Sequence, residues 1–122
     1  MSTKKKSRIP AERIALYEKL LATIPEIERK GADNPYTSLN GNMFSILSRK
    51  GVMGLRLSKA DRESFLKDHR ASLYADYGTV MPEYVAVPDD LLADTARMTP
   101  YMAASFAYAQ TLRPKPTTRK KS

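Results

Sequence analysis

The dipeptide Asn40-Gly41 constrains the fold most strongly, because Asn-Gly between two apolar segments is typical of a tight β-hairpin turn. Residues 36–39 precede the turn and residues 43–48 follow it, and both segments have strand-like composition. Alternation within the second segment predicts Phe44 and Ile46 on one face, with Met43 and Leu47 on the other.

A second turn is predicted at residues 49–51, where Arg49 and Lys50 precede a glycine. Residues 52–57 then form a third strand candidate, with Met53, Leu55 and Leu57 on one face. The whole region therefore predicts an antiparallel three-stranded meander, and its apolar face needs a cover of helices.

The covering helices are indicated by periodicity and by capping residues. The first begins at Pro10, ends near Pro25, and carries an apolar stripe made of Ile14, Tyr17, Leu20, Leu21 and Ile24. The second begins with Ser58, which is followed three residues later by an acid, and its inward stripe is Phe65, Leu66, His69 and Leu73. Residues 73–77 fit either a fourth strand or an extension of that helix.

The C-terminal part of the chain predicts one further strand and two helix starts. Residues 83–87 alternate as a strand, and Pro88, Asp89 and Asp90 then open a helix, where acidic side chains favour the positive dipole end. Thr99-Pro100 is predicted to open the last helix, which Pro114 terminates.

Composition places the chain among intracellular globular proteins. The 122 residues fit one domain, the 42% hydrophobic content allows a core, and the absence of cysteine excludes disulfides and thiolate sites. No apolar run has the roughly 18 residues that a membrane-spanning helix needs, and no secretory signal is recognisable. We expect a cytoplasmic protein without a membrane association.

The net charge of +8 is carried by the two ends of the chain. Residues 1–9 contain four cations and residues 113–122 contain five, which leaves about −1 for residues 10–112. We interpret the two ends as flexible basic tails and residues 10–112 as the folded domain. Phosphate contacts with DNA or RNA are predicted for Lys4, Lys5, Lys6, Arg8, Arg119, Lys120 and Lys121, and secondarily for Arg49 and Lys50.

Two nucleic-acid motifs fail on residues 50–57, KGVMGLRL. The G-x-x-G of Gly51 and Gly54 matches a KH loop in spacing, but the residues between them are apolar and strand-like. The same octet lacks the aromatic side chains that an RNP1 motif uses to stack bases. A structural hairpin is therefore the favoured interpretation.

The sequence predicts no catalytic site. His69 is the single histidine, and a lone imidazole between apolar residues is more typical of a structural role. Asp89, Asp90 and Asp94 are explained by a helix start, although paired acids also occur in general acid–base catalysis. We predict neither an enzyme nor a cofactor or metal site.

The ordered pattern resembles the TfoX N-terminal-like family (TfoX/Sxy, competence-regulator-like proteins) over about residues 10–112. The resemblance rests on the opening helix, on Asn42-Met43-Phe44, on GVMGLRLS at residues 51–58 and on YGTVMPEYVAVPDDLLAD at residues 77–94. It implies a two-layer α+β fold of order α-β-β-β-α-β-β-α, with a central antiparallel sheet of about five strands. Ser45-Ile46 replaces the family's usual Gly-Gly, so this chain would be a divergent, stand-alone member.

The resemblance implies a small bacterial regulatory domain that acts through contacts with an unknown protein partner, without catalytic residues. The basic tails would add non-specific affinity for DNA or RNA. The alternative is a homodimerising or chaperone-like interaction module without a nucleic-acid role, which would use a tyrosine- and methionine-bearing surface of the sheet.

Overall fold

The computed structural model describes residues 9–31, 34–76 and 78–114. Its sheet contains β1 (Tyr36–Leu39), β2 (Asn42–Leu47), β3 (Met53–Arg56), β4 (Leu73–Asp76) and β5 (Thr79–Val87). The helices are α1 (Ala11–Ala22), α2 (Lys59–Asp68), α3 (Asp89–Ala93) and α4 (Thr95–Thr111). All strand pairs are antiparallel in the order β1-β2-β3-β5-β4, which confirms the predicted α+β class and element order.

The turn between β1 and β2 has the geometry that Asn-Gly predicts. Asn40 has a φ of 53° and Gly41 a φ of 83°, so both central residues lie in the left-handed region. This combination defines a type I′ turn, whose twist matches that of the flanking antiparallel strands.

The register of the sheet separates a buried face from an outer face. Thr37, Ser45, Leu55 and Val85 form one row of paired residues across β1, β2, β3 and β5, and all four are 0% exposed. The buried face packs against the helices in a single core, as Met53, Leu55 and Leu57 were predicted to do. The neighbouring row faces the other way and consists of Tyr36, Ile46, Gly54 and Ala86.

The predicted alternation within β2 is wrong because the strand contains a β-bulge. Thr37 pairs with Ser45 but Ser38 pairs with Met43, which leaves Phe44 as an extra residue opposite β1. Phe44 and Ser45 are consequently both buried, and Leu47 joins them, whereas Met43 and Ile46 are only half-buried.

Helix α1 begins immediately after Pro10, whose carbonyl accepts hydrogen bonds from the amides of Arg13 (3.0 Å) and Ile14 (3.2 Å). The proline therefore occupies the capping position rather than the first helical position. Tyr17, Leu20 and Leu21 are buried, as the apolar stripe predicted.

Helix α2 has the predicted start, since the Ser58 side chain accepts a hydrogen bond from the Asp61 amide. It ends in a Schellman motif: the Ala71 amide donates to the Leu66 carbonyl at 3.0 Å, and Arg70 has a φ of 50°. This reversal of the chain excludes a longer helix, so the next segment forms strand β4.

The predicted start of the last helix is wrong by four residues. Asp94 accepts a hydrogen bond from the Arg97 amide at 3.2 Å and caps α4 at Thr95, so Pro100 lies inside the helix. A proline there removes one backbone hydrogen bond, but α4 continues as far as Thr111. None of the helices in the described part of the chain combines the length and apolar composition that a bilayer crossing requires.

The two glycines of the G-x-x-G pattern have structural roles in the β2–β3 hairpin. Gly51 has a φ of 82° in the turn, which favours glycine. Gly54 pairs with Ala86, and a Cβ at Gly54 would lie 2.8 Å from Cγ of the Tyr74 ring. The hairpin interpretation of this segment is therefore confirmed.

We expect Gly54→Ala to lower the free energy of unfolding by about 1–3 kcal/mol, because the new methyl group overlaps a buried tyrosine ring. Urea denaturation followed by circular dichroism measures the change. The double variant Gly54→Ala/Tyr74→Ala is the control, since alanine lacks the Cγ and Cδ atoms that the new methyl group would overlap. If the double variant loses as much free energy of unfolding as the two single variants together, the proposed contact is contradicted.

Candidate functional site

The structure places two of the predicted phosphate-binding residues at one end of the sheet. Arg49 and Lys50 are exposed in the turn between β2 and β3, where the Gly51 amide donates to the Ser48 carbonyl at 2.9 Å. The remaining predicted residues lie outside the described part of the chain: Lys4, Lys5, Lys6, Arg8, Arg119, Lys120 and Lys121.

The N-terminal basic segment joins the fold beside this turn. Ile9 is buried in the core immediately before α1, and the Arg13 side chain packs on Gly51, where an added Cβ would lie 2.8 Å from its Cγ. Arg13 also forms an ion pair of 3.0 Å with Asp89 at the start of α3. The chain preceding Ile9 therefore leaves from the end of the sheet that carries Arg49 and Lys50.

The C-terminal basic segment leaves from the opposite end of β2. The Asn42 side-chain amide donates to the Arg113 carbonyl at 2.9 Å, and Asn42 is the first residue of that strand. A strand of this length separates its two ends by about 20 Å. The cations of the two segments are thus attached at two separate points rather than at one.

A polar cluster that the sequence did not indicate lies where the pairing of β2 with β3 ends. Pairing of these strands stops at Ser45 and Leu55, next to the bulge. Beyond that pair, the Ser105 hydroxyl from α4 lies 2.6 Å from the Arg56 carbonyl and 3.2 Å from the Phe44 carbonyl. The hydroxyl thereby replaces ladder hydrogen bonds that the two strands no longer make with each other.

All three nitrogen atoms of the Arg56 guanidinium have partners within this cluster. Its Nε and Nη2 atoms each lie 2.7 Å from Oε1 of Glu83, and its Nη1 donates to the Met43 carbonyl at 3.3 Å. The rings of Tyr84 and Tyr108 lie 5.9 and 6.0 Å from it, within cation–π range. Arg56 therefore stabilises the fold and is not placed to bind phosphate. No local sequence pattern signals this arrangement, because β2, β3, β5 and α4 meet here only in the folded chain.

Three buried hydroxyls connect α1 to the sheet. The Tyr17 and Ser45 hydroxyls lie 2.6 Å apart, and the Thr37 hydroxyl lies 2.5 Å from that of Ser45. Burial raises the pKa of Tyr17 strongly, although its hydrogen bonds oppose the shift, and burial also raises the pKa of Tyr84. Both phenols are consequently neutral structural groups rather than candidates for proton transfer near neutral pH.

His69 belongs to a cluster of rings between α2 and α4. Its Nε2 atom lies 2.8 Å from the Tyr101 hydroxyl, and the Phe65 ring is 4.7 Å from the imidazole. The imidazole therefore has a hydroxyl as its partner, whereas a catalytic histidine is commonly oriented by a carboxylate. The cluster fits the structural role that the sequence indicated.

The carboxylates considered for catalysis have structural positions. Asp89 and Asp90 lie in the first turn of α3, and Asp94 caps α4. Within the described ranges, no three or more His, Cys, Asp or Glu side chains are grouped so that they could hold a metal ion.

The outer face of the sheet carries the apolar side chains on which the interaction-module alternative depends. Tyr36, Met43, Ile46 and Val52 are half-buried there, since the register places them opposite the core row. Tyr84, by contrast, is buried, and its hydroxyl donates to the Met43 carbonyl at 2.7 Å. The exposed part of this face is therefore aliphatic as much as aromatic.

We expect the free energy of unfolding to fall as the pH rises above about 10, by up to about 1.4 kcal/mol per pH unit for each raised tyrosine pKa. Below that pH the Tyr17 phenol is protonated in both the folded and the unfolded chain. Above it only the unfolded chain loses this proton, so unfolding is favoured. Urea denaturation at pH 8 and pH 11 measures the loss.

Tyr17→Phe removes this titrating group, so the free energy of unfolding should fall less steeply with pH above 10, although the variant is less stable at pH 8. A slope as steep in Tyr17→Phe as in the unmodified chain would show that Tyr17 ionises equally in both states.

Comparison with known proteins gives no identity: no protein-family model, no curated protein and no solved structure matches this chain.

Proposed function

We propose that this chain is a small, non-enzymatic regulatory domain of the TfoX N-terminal type that works through protein contacts in the bacterial cytoplasm. Its basic ends add affinity for DNA or RNA that does not depend on sequence. The family assignment rests on the sequence pattern, and the agreement of the observed element order with the pattern's expectation supports it.

One observation carries the nucleic-acid part of the proposal: the N-terminal basic segment leaves the fold beside the exposed turn of Arg49 and Lys50. Six cations, four in the segment and two in the turn, therefore belong to one end of a domain whose other residues carry a small net negative charge. At the same end, Asp89 is neutralised by Arg13, which limits repulsion of phosphate.

The same geometry argues against base recognition. The turn offers arginine and lysine side chains but no aromatic ring, and sequence-independent binding needs only phosphate contacts. Each engaged cation displaces about one condensed counterion, so affinity should decrease steeply with salt.

A homodimerising or chaperone-like module is the second candidate, because the outer sheet face presents half-buried Tyr36, Met43, Ile46 and Val52. This candidate places the working surface on the sheet and gives no role to the basic segments. A molecular mass that increases with protein concentration is its expected signature.

The test is fluorescence anisotropy with a short duplex DNA across a salt series. If the nine cations of the two segments and the two cations of the turn are all engaged, the log–log slope for the full chain should be about −10, since each contact contributes about −0.9. Replacing Lys4, Lys5, Lys6 and Arg8 by Gln should reduce the slope by about 3.6, and Arg49→Gln with Lys50→Gln by about 1.8.

Lys59→Gln with Lys67→Gln is the matched control, because it removes the same charge from exposed positions on α2. This pair should leave the slope unchanged. An equal decrease of the salt slope in the control variant would show that binding depends on net charge rather than on this end of the domain. No binding by the full chain would refute the nucleic-acid role and favour the interaction module.

A further inference from the structure

A small cleft lies between α2 and α4, away from the basic end of the sheet. Its volume is about 230 Å³, and its walls come from one face of each helix. The lining residues are Leu57, Asp61, Ser64, Phe65, Asp68, Pro100, Tyr101 and Ala104. This size suits a small ligand with few heavy atoms rather than a nucleotide.

The cleft combines an apolar floor with an aromatic wall. Leu57 and Phe65 are fully buried, and the Tyr101 ring stands edge-on to the Phe65 ring at 5.0 Å. The hydrogen bond between Tyr101 and His69 holds the tyrosine ring in place at this wall. Such a surface favours an aliphatic chain and also attracts a cation to the ring faces.

Two carboxylates line the same cleft. Asp61 and Asp68 are seven positions apart on α2, which places them on one face about 10 Å apart along the helix axis. Within the described residues neither carboxylate forms an ion pair. Arg62, which follows Asp61 in sequence, donates from Nη1 to the Leu57 carbonyl at 3.0 Å, and Lys67, which precedes Asp68, is exposed.

We propose that this cleft binds a linear aliphatic diammonium ion, with one ammonium group at Asp68 beside the Tyr101 ring and the other at Asp61. The methylene chain lies along Phe65, Pro100 and Ala104. The two positive charges match two carboxylates that the fold leaves without counter-ions, and the apolar floor matches the chain between them.

Other ligand classes fit less well. Anions, including nucleic-acid phosphates, are repelled by the two carboxylates, and metal ions lack a third ligand within the described residues. An uncharged alkyl compound leaves both carboxylates unpaired. A cation adjoins each carboxylate in sequence, Arg62 next to Asp61 and Lys67 next to Asp68, so we expect the two aspartates to contribute about equally to binding. This site goes beyond the proposed function and does not depend on the basic segments.

The test is a titration of the ¹⁵N-labelled full chain with 1,5-diaminopentane at neutral pH and low salt, followed by amide chemical shifts. We expect saturating shifts at Ser64, Phe65, Tyr101 and Ala104. Pentylamine, which has one ammonium group, should bind about 5-fold more weakly, and 1-pentanol, which has none, should produce no saturating shifts.

Variants locate the two charges. Asp68→Asn and Asp61→Asn should each weaken diamine binding by about 5-fold, while the double variant should lose saturation. Glu63→Gln is the matched control, because it removes an exposed carboxylate from the same helix without touching the cleft. Unchanged affinity in the double variant, equal shifts with 1-pentanol, or shifts spread over the whole acidic surface would each overturn the proposal.

Discussion

The extra residue in β2 determines how the helices sit on the sheet. Because of the bulge at Phe44, two consecutive side chains of β2 face the helices. Phe44 packs against Phe106 of α4 with ring centroids 5.7 Å apart, and Ser45 bonds to Tyr17 of α1. The bulge also ends the β2–β3 ladder early, and the Ser105 hydroxyl satisfies the carbonyls that this exposes. The positions of α1 and α4 therefore depend on one irregularity in one strand.

Local signals predicted most of the fold. Asn40-Gly41 fixes its turn through backbone conformation alone, and the Ser58 cap is likewise a contact within one helical turn. The facing of the β2 side chains and the start of α4 were predicted wrongly for a different reason. For the strand, strict alternation of side chains assumes a ladder without a bulge. For the helix, a proline is usually expected at the start, but Asp94 caps α4 earlier and Pro100 is tolerated inside it.

The candidate site was predictable only in part. The exposed turn of Arg49 and Lys50 followed from sequence, because turn position follows from strand boundaries. The closeness of this turn to the start of α1 did not follow from sequence, since it requires Arg13 of α1 to pack on Gly51. The ion pair between Arg56 and Glu83 was also not predictable, because the pairing of β3 with β5 brings these distant residues together only in the folded sheet.

We propose that nucleic acid contacts the end of the sheet where α1 begins and not the strand segment around Gly54. Amide chemical-shift mapping of a short duplex DNA on the ¹⁵N-labelled full chain tests this assignment most directly. We expect the largest shifts within the described fold at Ile9, Arg13, Arg49 and Lys50, with reversal at high salt. Shifts centred on Gly54 and Arg56, with none at the turn, would contradict the account.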